Sequence, residues 1–436
     1  MALTDRLFGL PAGGEPRDTA PDLDAGQTRV EPRNILRLTA AQIGGSIGDA
    51  LADPKVVMPW LMGAVGAPAF LTAMIVPIRE ALSLLPQIVV GVALRRFAVR
   101  KWFWAVALAA EGVAVLGMAL LALAGLTGPL AGWAIIGCVI VFSLARGVAS
   151  IASKDILGRT VAKGRRGKVG GYATAASGVV AAGAGLYLGL APAAARPDWL
   201  LHVMLAAAAS GWLLGAVLAA RIVEHPGKLE DRQSVRRILA RQLSILRGDP
   251  DLQRFLLARA LMTGTALSAP IYVALAQQSG GGALANLGWL MLATGAAAGL
   301  SATFWGMLSD RASRTTMALG AAIGGAVGCA MLAALWLAPG GAQGILPYGA
   351  ALFLLGIGHA GVRIGRKTQI VDAAGAESRS EYVAISNTII GVVILGVGAV
   401  AGALAHWRLD AALLLLSAMA LAGAALTLTL KNAQAE

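Results

Sequence analysis

The stretch EHPGKLEDRQSVRRILARQLSILRGDPDLQR, Glu224 to Arg254, decides the fold. It is polar and basic, and it lies between two long apolar halves of similar size. Lys228, Arg232, Arg236, Arg237, Arg241, Arg247 and Arg254 fall inside it. Val235, Ile238, Leu239, Gln242, Ile245 and Leu246 recur at helical spacing, while Arg236, Arg237 and Arg241 take the other face. The spacing predicts a helix from Ser234 to Gly248, with Ser234 capping its start and Gly248 its end. A basic amphipathic helix of this kind suits an anionic membrane surface. A solvated, charged linker helix is the alternative. On either reading the stretch separates two membrane bundles.

The flanking composition agrees. Of 436 residues, 57% are hydrophobic and only 14% charged. A soluble domain carries about 25% charged residues and could not hide so much apolar surface. The 56 glycines fill the apolar runs and let membrane helices approach closely. Cys138 and Cys329 fall within apolar runs and form no metal or redox motif. Residues 1–33 are polar, without the apolar core of a signal peptide, and read as a disordered tail.

A bilayer needs roughly 20 apolar residues per helix, and roughly twelve such spans can be counted. The first half, 34–222, holds 36–64, 68–94, 101–125, 129–152, 169–191 and 198–222. A linker covers 223–252. The second half, 253–436, holds 253–277, 284–308, 316–337, 345–364, 382–404 and 407–430. The expected class is an all-α polytopic membrane protein with two six-helix, pseudo-symmetric bundles. With the N-terminus inside, the inside loops take Arg95, Arg96, Arg100, Lys101, Lys154, Arg159, Lys163, Arg165, Arg166, Lys168, Arg311, Arg314, Arg363, Arg366, Lys367 and Arg379. The outside turns take only Arg196 and Arg408. This bias places both termini in the cytoplasm and explains the net charge of +13 without nucleic acid.

Ionisable groups within a span are costly and mark function. Asp49 and Asp53 lie four apart on one helix face, and Pro54, followed by Lys55, should kink that helix. Arg79 and Glu80 lie mid-depth in the second span, with Gln87 beyond Pro86. Counting from the shared turn Gly63–Pro68 brings Asp53 level with Arg79 or Glu80, so an Asp53–Arg79 ion pair is expected, with Glu80 and Asp49 nearby. Glu111 in the third span and Arg146 in the fourth extend the set. The second half offers Arg259 and His359. The cluster reads either as a proton relay or as an ion-pair lock between helices.

The turn after the eighth span, Gly306-Met-Leu-Ser-Asp310-Arg311-Ala-Ser-Arg314, resembles the signature loop of the major facilitator superfamily. Its counterpart in the first half runs from Gly91 through Arg95 and Arg96 to Lys101, with Arg95 where the family has aspartate. In the resemblance, Gly306 lets two helices touch, Asp310 caps or pairs with a neighbouring helix end, and these residues form a gating loop. Arg146-Gly147 looks like the family's fourth-helix arginine motif. Gly48-Asp49-Ala50-Leu51 with Pro54 looks like the drug and siderophore exporters. The resemblance implies a multi-pass secondary transporter of the plasma (inner) membrane, working by alternating access. It would move a small solute with protons, by export or uptake, the exporter-like branch pointing to efflux, as a monomer among membrane lipids.

No zinc pair, phosphate loop or paired protease motif occurs, so neither an enzyme nor a resident cofactor or metal is expected. A second reading is a membrane assembly or scaffold protein that keeps the fold without transport.

Overall fold

A computed structural model describes residues 23, 25–227, 229, 234–338, 340, 342–373 and 379–431. Most of the expected tail, together with Lys228, Arg232 and Pro339, lies outside these residues. All regular structure among the described residues is helical.

The first span is broken in two. Helix α1 covers Ala25–Leu51, and α2 covers Val57–Ala64. The helix begins before residue 34, so 25–33 are not part of a tail. Their burial explains why. Gln27, Glu31 and Asn34 are buried, and Glu31 accepts from the Ala162 N–H at 2.9 Å while pairing with Arg165 at 2.6 Å. The second span divides into α3, Ala69–Leu84, and α4, Gln87–Leu94, around Pro86. Then follow α5, Lys101–Leu123; α6, Gly128–Thr160; α7, Lys163–Leu190; and α8, Trp199–Ala220.

The linker helix α9 is Val235–Gly248. Ser234 does not cap it through its side chain. Gly248 is its last helical residue, and Asp249 caps the next helix instead, accepting from the Leu252 N–H at 2.9 Å. Val235, Ile238, Gln242, Ile245 and Leu246 are shielded, whereas Leu239 and Leu243 are exposed beside the arginines.

The seventh span is α10, Pro250–Leu261; α11, Thr263–Leu267; and α12, Ala269–Gly280. It is interrupted midway, as the first span is. Helix α13 runs over 54 residues, Leu284–Leu337. At 1.5 Å per residue that is roughly 80 Å, too long for one crossing of a bilayer core about 30 Å thick. It bends at Ala312, whose φ of −156° and ψ of 73° are not helical. The chain ends with α14, Leu346–Ala373; α15, Arg379–Trp407; and α16, Leu409–Thr427. Among the described residues ten helices are long and apolar enough to cross a membrane. Counting α13 as two and adding α1–α2 gives the twelve spans of the expected class.

Helices pack closely where side chains vanish. Gly44 of α1 and Gly211 of α8 touch backbone to backbone, and a Cβ at either would strike the other's carbonyl. Trp212, fully buried, lies over Gly48 and edge-on to Phe142 at 5.2 Å. The two halves touch through Gly185 of α7 and Gly288 of α13, where an added Cβ has no room.

Candidate functional site

Asp53 holds the break in the first span. Its Oδ1 accepts from the Lys55 N–H at 2.7 Å and the Val56 N–H at 3.0 Å. Its carbonyl accepts from the N–H groups of Val56, Val57 and Met58. Pro54 cannot continue α1, so the carboxylate satisfies donors that the break would otherwise orphan. The expected Asp53–Arg79 pair does not form. Arg79 pairs with its own neighbour Glu80 at 2.5 Å. Depth counting treats the first span as one continuous helix, and the break turns Asp53 back onto its own chain.

Arg146 of α6 sits between two acids. It pairs with Asp49 of α1, and with Glu111 of α5 at 3.1 Å. The Glu111 side chain is fully buried, while that of Arg146 is 23% exposed. Each carboxylate therefore tethers a different helix to the same guanidinium. Glu111 Oε1 has no hydrogen-bond partner.

In the second half, Arg259 donates to Ser386 and, at 3.2 Å, to Asn387. Asn387 in turn donates to Gln87 Oε1 at 3.2 Å. Gln87 is thus a bridge between the halves, and it does not line the cavity. His359 Nδ1 lies 3.2 Å from Thr265 Oγ1.

A cavity of about 430 Å³ joins these groups. Asp49, Asp53, Arg79 and Glu80 line it from the first half, and Arg259 and His359 from the second. Lys55, Arg363 and Arg366 also line it, beyond the expected site residues. An end of the tenth span at 364 would leave the last of these at the start of a loop. Helix α14 instead continues to Ala373. The signal is present in the sequence: His359, Arg363 and Arg366 fall on one face at helical spacing.

A second cavity, of about 690 Å³, lies toward the other end of the same two spans and is lined by Trp60, Gly63, Gln277 and His202. Val57, Met58, Ile271, Tyr272 and Val273 are buried between the two sets of lining residues along α2 and α12. Gln277 donates to the Trp60 carbonyl at 3.0 Å across the halves. This layer separates the charged cavity from the second one on that side.

The signature residues are placed differently from expectation. Between the eighth and ninth spans the two helices meet at a kink at Ala312, with no extended loop between them. Gly306 meets no neighbouring helix. Asp310 and Arg311 are exposed, and Asp310 makes no hydrogen bond or ion pair with a described residue. Arg314 does hold a helix end, donating to the Leu430 carbonyl at 2.8 Å. Gly91 also meets nothing, and Arg95 and Arg96 are exposed. The acids of the first half at this end lie elsewhere. Asp155 pairs with Arg100 at 2.7 Å and Arg159 at 3.1 Å, while Glu224 accepts from the Arg100 and Lys101 N–H groups, both at 2.8 Å. Arg95 in place of an acid is thus accompanied by Asp155 and Glu224, which tie α5, α6 and the end of the first half together.

No protein-family model matches the sequence, and no curated protein matches it either. Solved structures do match in shape. A point mutant of the nucleoside transporter NupG superposes with a TM-score of 0.69 at 11% identity, covering 91% of this chain and 99% of that one. A D-xylose-proton symporter gives 0.67 at 14%, covering 92% and 99%. The peptide transporter POT in complex with sulfate gives 0.65 at 15%, covering 91% and 94%. At such identities the likeness is one of fold. The chain shares with these transporters a fold of helical spans in two halves.

Proposed function

We propose that the chain is a secondary transporter that moves a small solute by alternating access, coupled to protons. The observation that carries the proposal is the charged cavity. Both halves contribute ionisable side chains to it, and a buried layer separates it from a second cavity toward the other end of the spans. Rocking of the halves would open that layer and close the basic end. The solved neighbours named above, which carry nucleosides, xylose with protons, and peptides, lend the same reading by fold.

Coupling falls to the carboxylates. A proton on Asp49 or Glu111 removes one of the two partners of Arg146, and so loosens α1 or α5 from α6. A proton on Glu80 frees Arg79. Ion pairs whose partners sit on different helices convert protonation into helix movement. The Lys/Arg bias supports both termini in the cytoplasm, and the resemblance to the major facilitator superfamily supports a plasma (inner) membrane setting. The exporter-like opening stretch favours proton-driven efflux.

The test is flux in proteoliposomes under an imposed pH gradient, in both directions. The solute panel holds a sugar, a nucleoside, a dipeptide and small organic anions. Gradient-driven flux of at least one solute is expected, reduced at least tenfold in Glu80→Gln or Asp49→Asn. Undiminished driven flux in both, and in Asp53→Asn, removes the coupling assignment.

A further inference from the structure

The wall that the second half presents to the cavity carries charge of one sign. Arg259, Arg363 and Arg366 face it from α10 and α14. Arg259 bonds only to neutral groups, Ser386 and Asn387, and its Nε has no partner although the residue is 7% exposed. Among the described residues, no carboxylate lies within ion-pair distance of Arg259, Arg363, Arg366 or the Lys55 side chain. The fields of Glu80 and Asp53 reach Lys55, and that of Glu80 also reaches Arg259 and Arg366, yet the ion pair of Glu80 is with Arg79. Across the lining, five cations (Lys55, Arg79, Arg259, Arg363, Arg366) stand against three carboxylates (Asp49, Asp53, Glu80). Two positive charges are left over. Adding the Arg146–Glu111 pair behind the wall leaves that excess unchanged.

Unneutralised like charges in a recess between apolar walls repel one another, and a counter-charge placed among them is correspondingly favoured. Guanidinium forks match carboxylate and phosphate oxygens two at a time. The rest of the lining is aliphatic or neutral polar, with Met262, Leu352, Leu355 and Ile394 beside Thr263, Thr265, Thr294 and His359, and no Phe, Tyr or Trp among the lining residues. No large aromatic surface is therefore offered to a planar ligand.

We infer that this cavity takes a small aliphatic organic dianion, whose charged groups are held by Arg259, Arg363 and Arg366. That the anion is also carried across the membrane rests on the transport reading above; its binding does not.

The experiment uses purified full-length protein and four probes at matched ionic strength: succinate, glycerol 3-phosphate, glycerol and putrescine. Thermal stabilisation is followed by probe titration, and uptake of radiolabelled probe into proteoliposomes is measured in parallel. Saturable stabilisation by succinate or glycerol 3-phosphate is expected, with glycerol and putrescine inert; whichever of the two binds more tightly distinguishes carboxylate from phosphate chemistry. Arg363→Gln/Arg366→Gln should weaken it at least tenfold. Arg236→Gln/Arg237→Gln, which removes equal charge from the exposed linker helix, should not. Binding of glycerol or putrescine with neither anion bound overturns the inference, as does an equal effect of the two double variants or no saturable binding at all. Anion binding without uptake of either anion upholds the inference and shows that the bound anion is not the carried solute.

Discussion

Arg146 is where the site is most exposed to a single change. Its guanidinium is the one described partner of the Glu111 carboxylate, which is fully buried. Removing a member of a buried ion pair leaves an unpaired charge and costs about 3–5 kcal/mol. Arg146→Gln should therefore lower the melting temperature of the detergent-purified protein markedly. Arg146→Gln/Glu111→Gln should recover much of that loss, and a double variant no more stable than Arg146→Gln would show that the pair matters little. The candidate acids and bases are legible in the sequence because charges inside apolar runs stand out. Their pairings are not. Arg146 lies 35 residues from Glu111 and 97 from Asp49, so only packing of α1, α5 and α6 brings them together. Lys55 stands out in the sequence only as a neighbour of Pro54, and nothing in the local pattern says that it lines a cavity.

Among the elements, α9 belongs to the second half. Arg241 pairs with Glu381 at 2.8 Å, and Tyr382 donates to Asp249 at 2.5 Å. Burial pushes the Asp249 carboxyl up, but donation from Tyr382 and from the Leu252 and Asp251 N–H groups outweighs it, and the group lies below the usual aspartate range. The unfolded carboxyl titrates near 3.9. The stabilisation is therefore fully present well above that value, and it is lost as pH falls below about 4 and through the folded value. Amide protection of α9 and the first turn of α10 should fall over that acid range in hydrogen exchange. Asp249→Ala should abolish the pH dependence and cost about 1 kcal/mol as a lost helix cap. Persistence of the acid transition in that variant would assign it to another group. The existence of α9 follows from its 3.6-residue pattern. Its ends do not: Ser234 suits an N-cap but makes no side-chain cap, and Gly248 stays helical because α10 starts two residues on with Asp249 as its cap.

At the scale of the molecule, the fold is legible from span count and glycine content, while the closed side of the cavity is not. Closure depends on buried Met58 and Tyr272 and on the Gln277–Trp60 hydrogen bond, all apolar or neutral in a sequence full of such residues. A neutral hydrogen bond contributes about 1 kcal/mol, so its loss shifts a two-state balance roughly fivefold. Gln277→Ala should favour opening on that side. With Cys138 and Cys329 replaced by Ser, a Met58→Cys probe should then react faster with a membrane-impermeant maleimide added from the side opposite the basic loops. An unchanged rate would mean that packing of the apolar layer alone keeps this side shut.

The bend at Ala312 sets the two repeats apart. In the first half, α4 ends at Leu94 and α5 begins at Lys101, so a spacer of residues 95–100 separates that pair of spans. In the second half the matching pair is two helices that meet directly at the kink at Ala312, and Arg314 ties the start of the second of them to the Leu430 carbonyl just past α16. Two spans joined with no spare residues have their near ends held together, whereas residues 95–100 leave the first half's pair room to part.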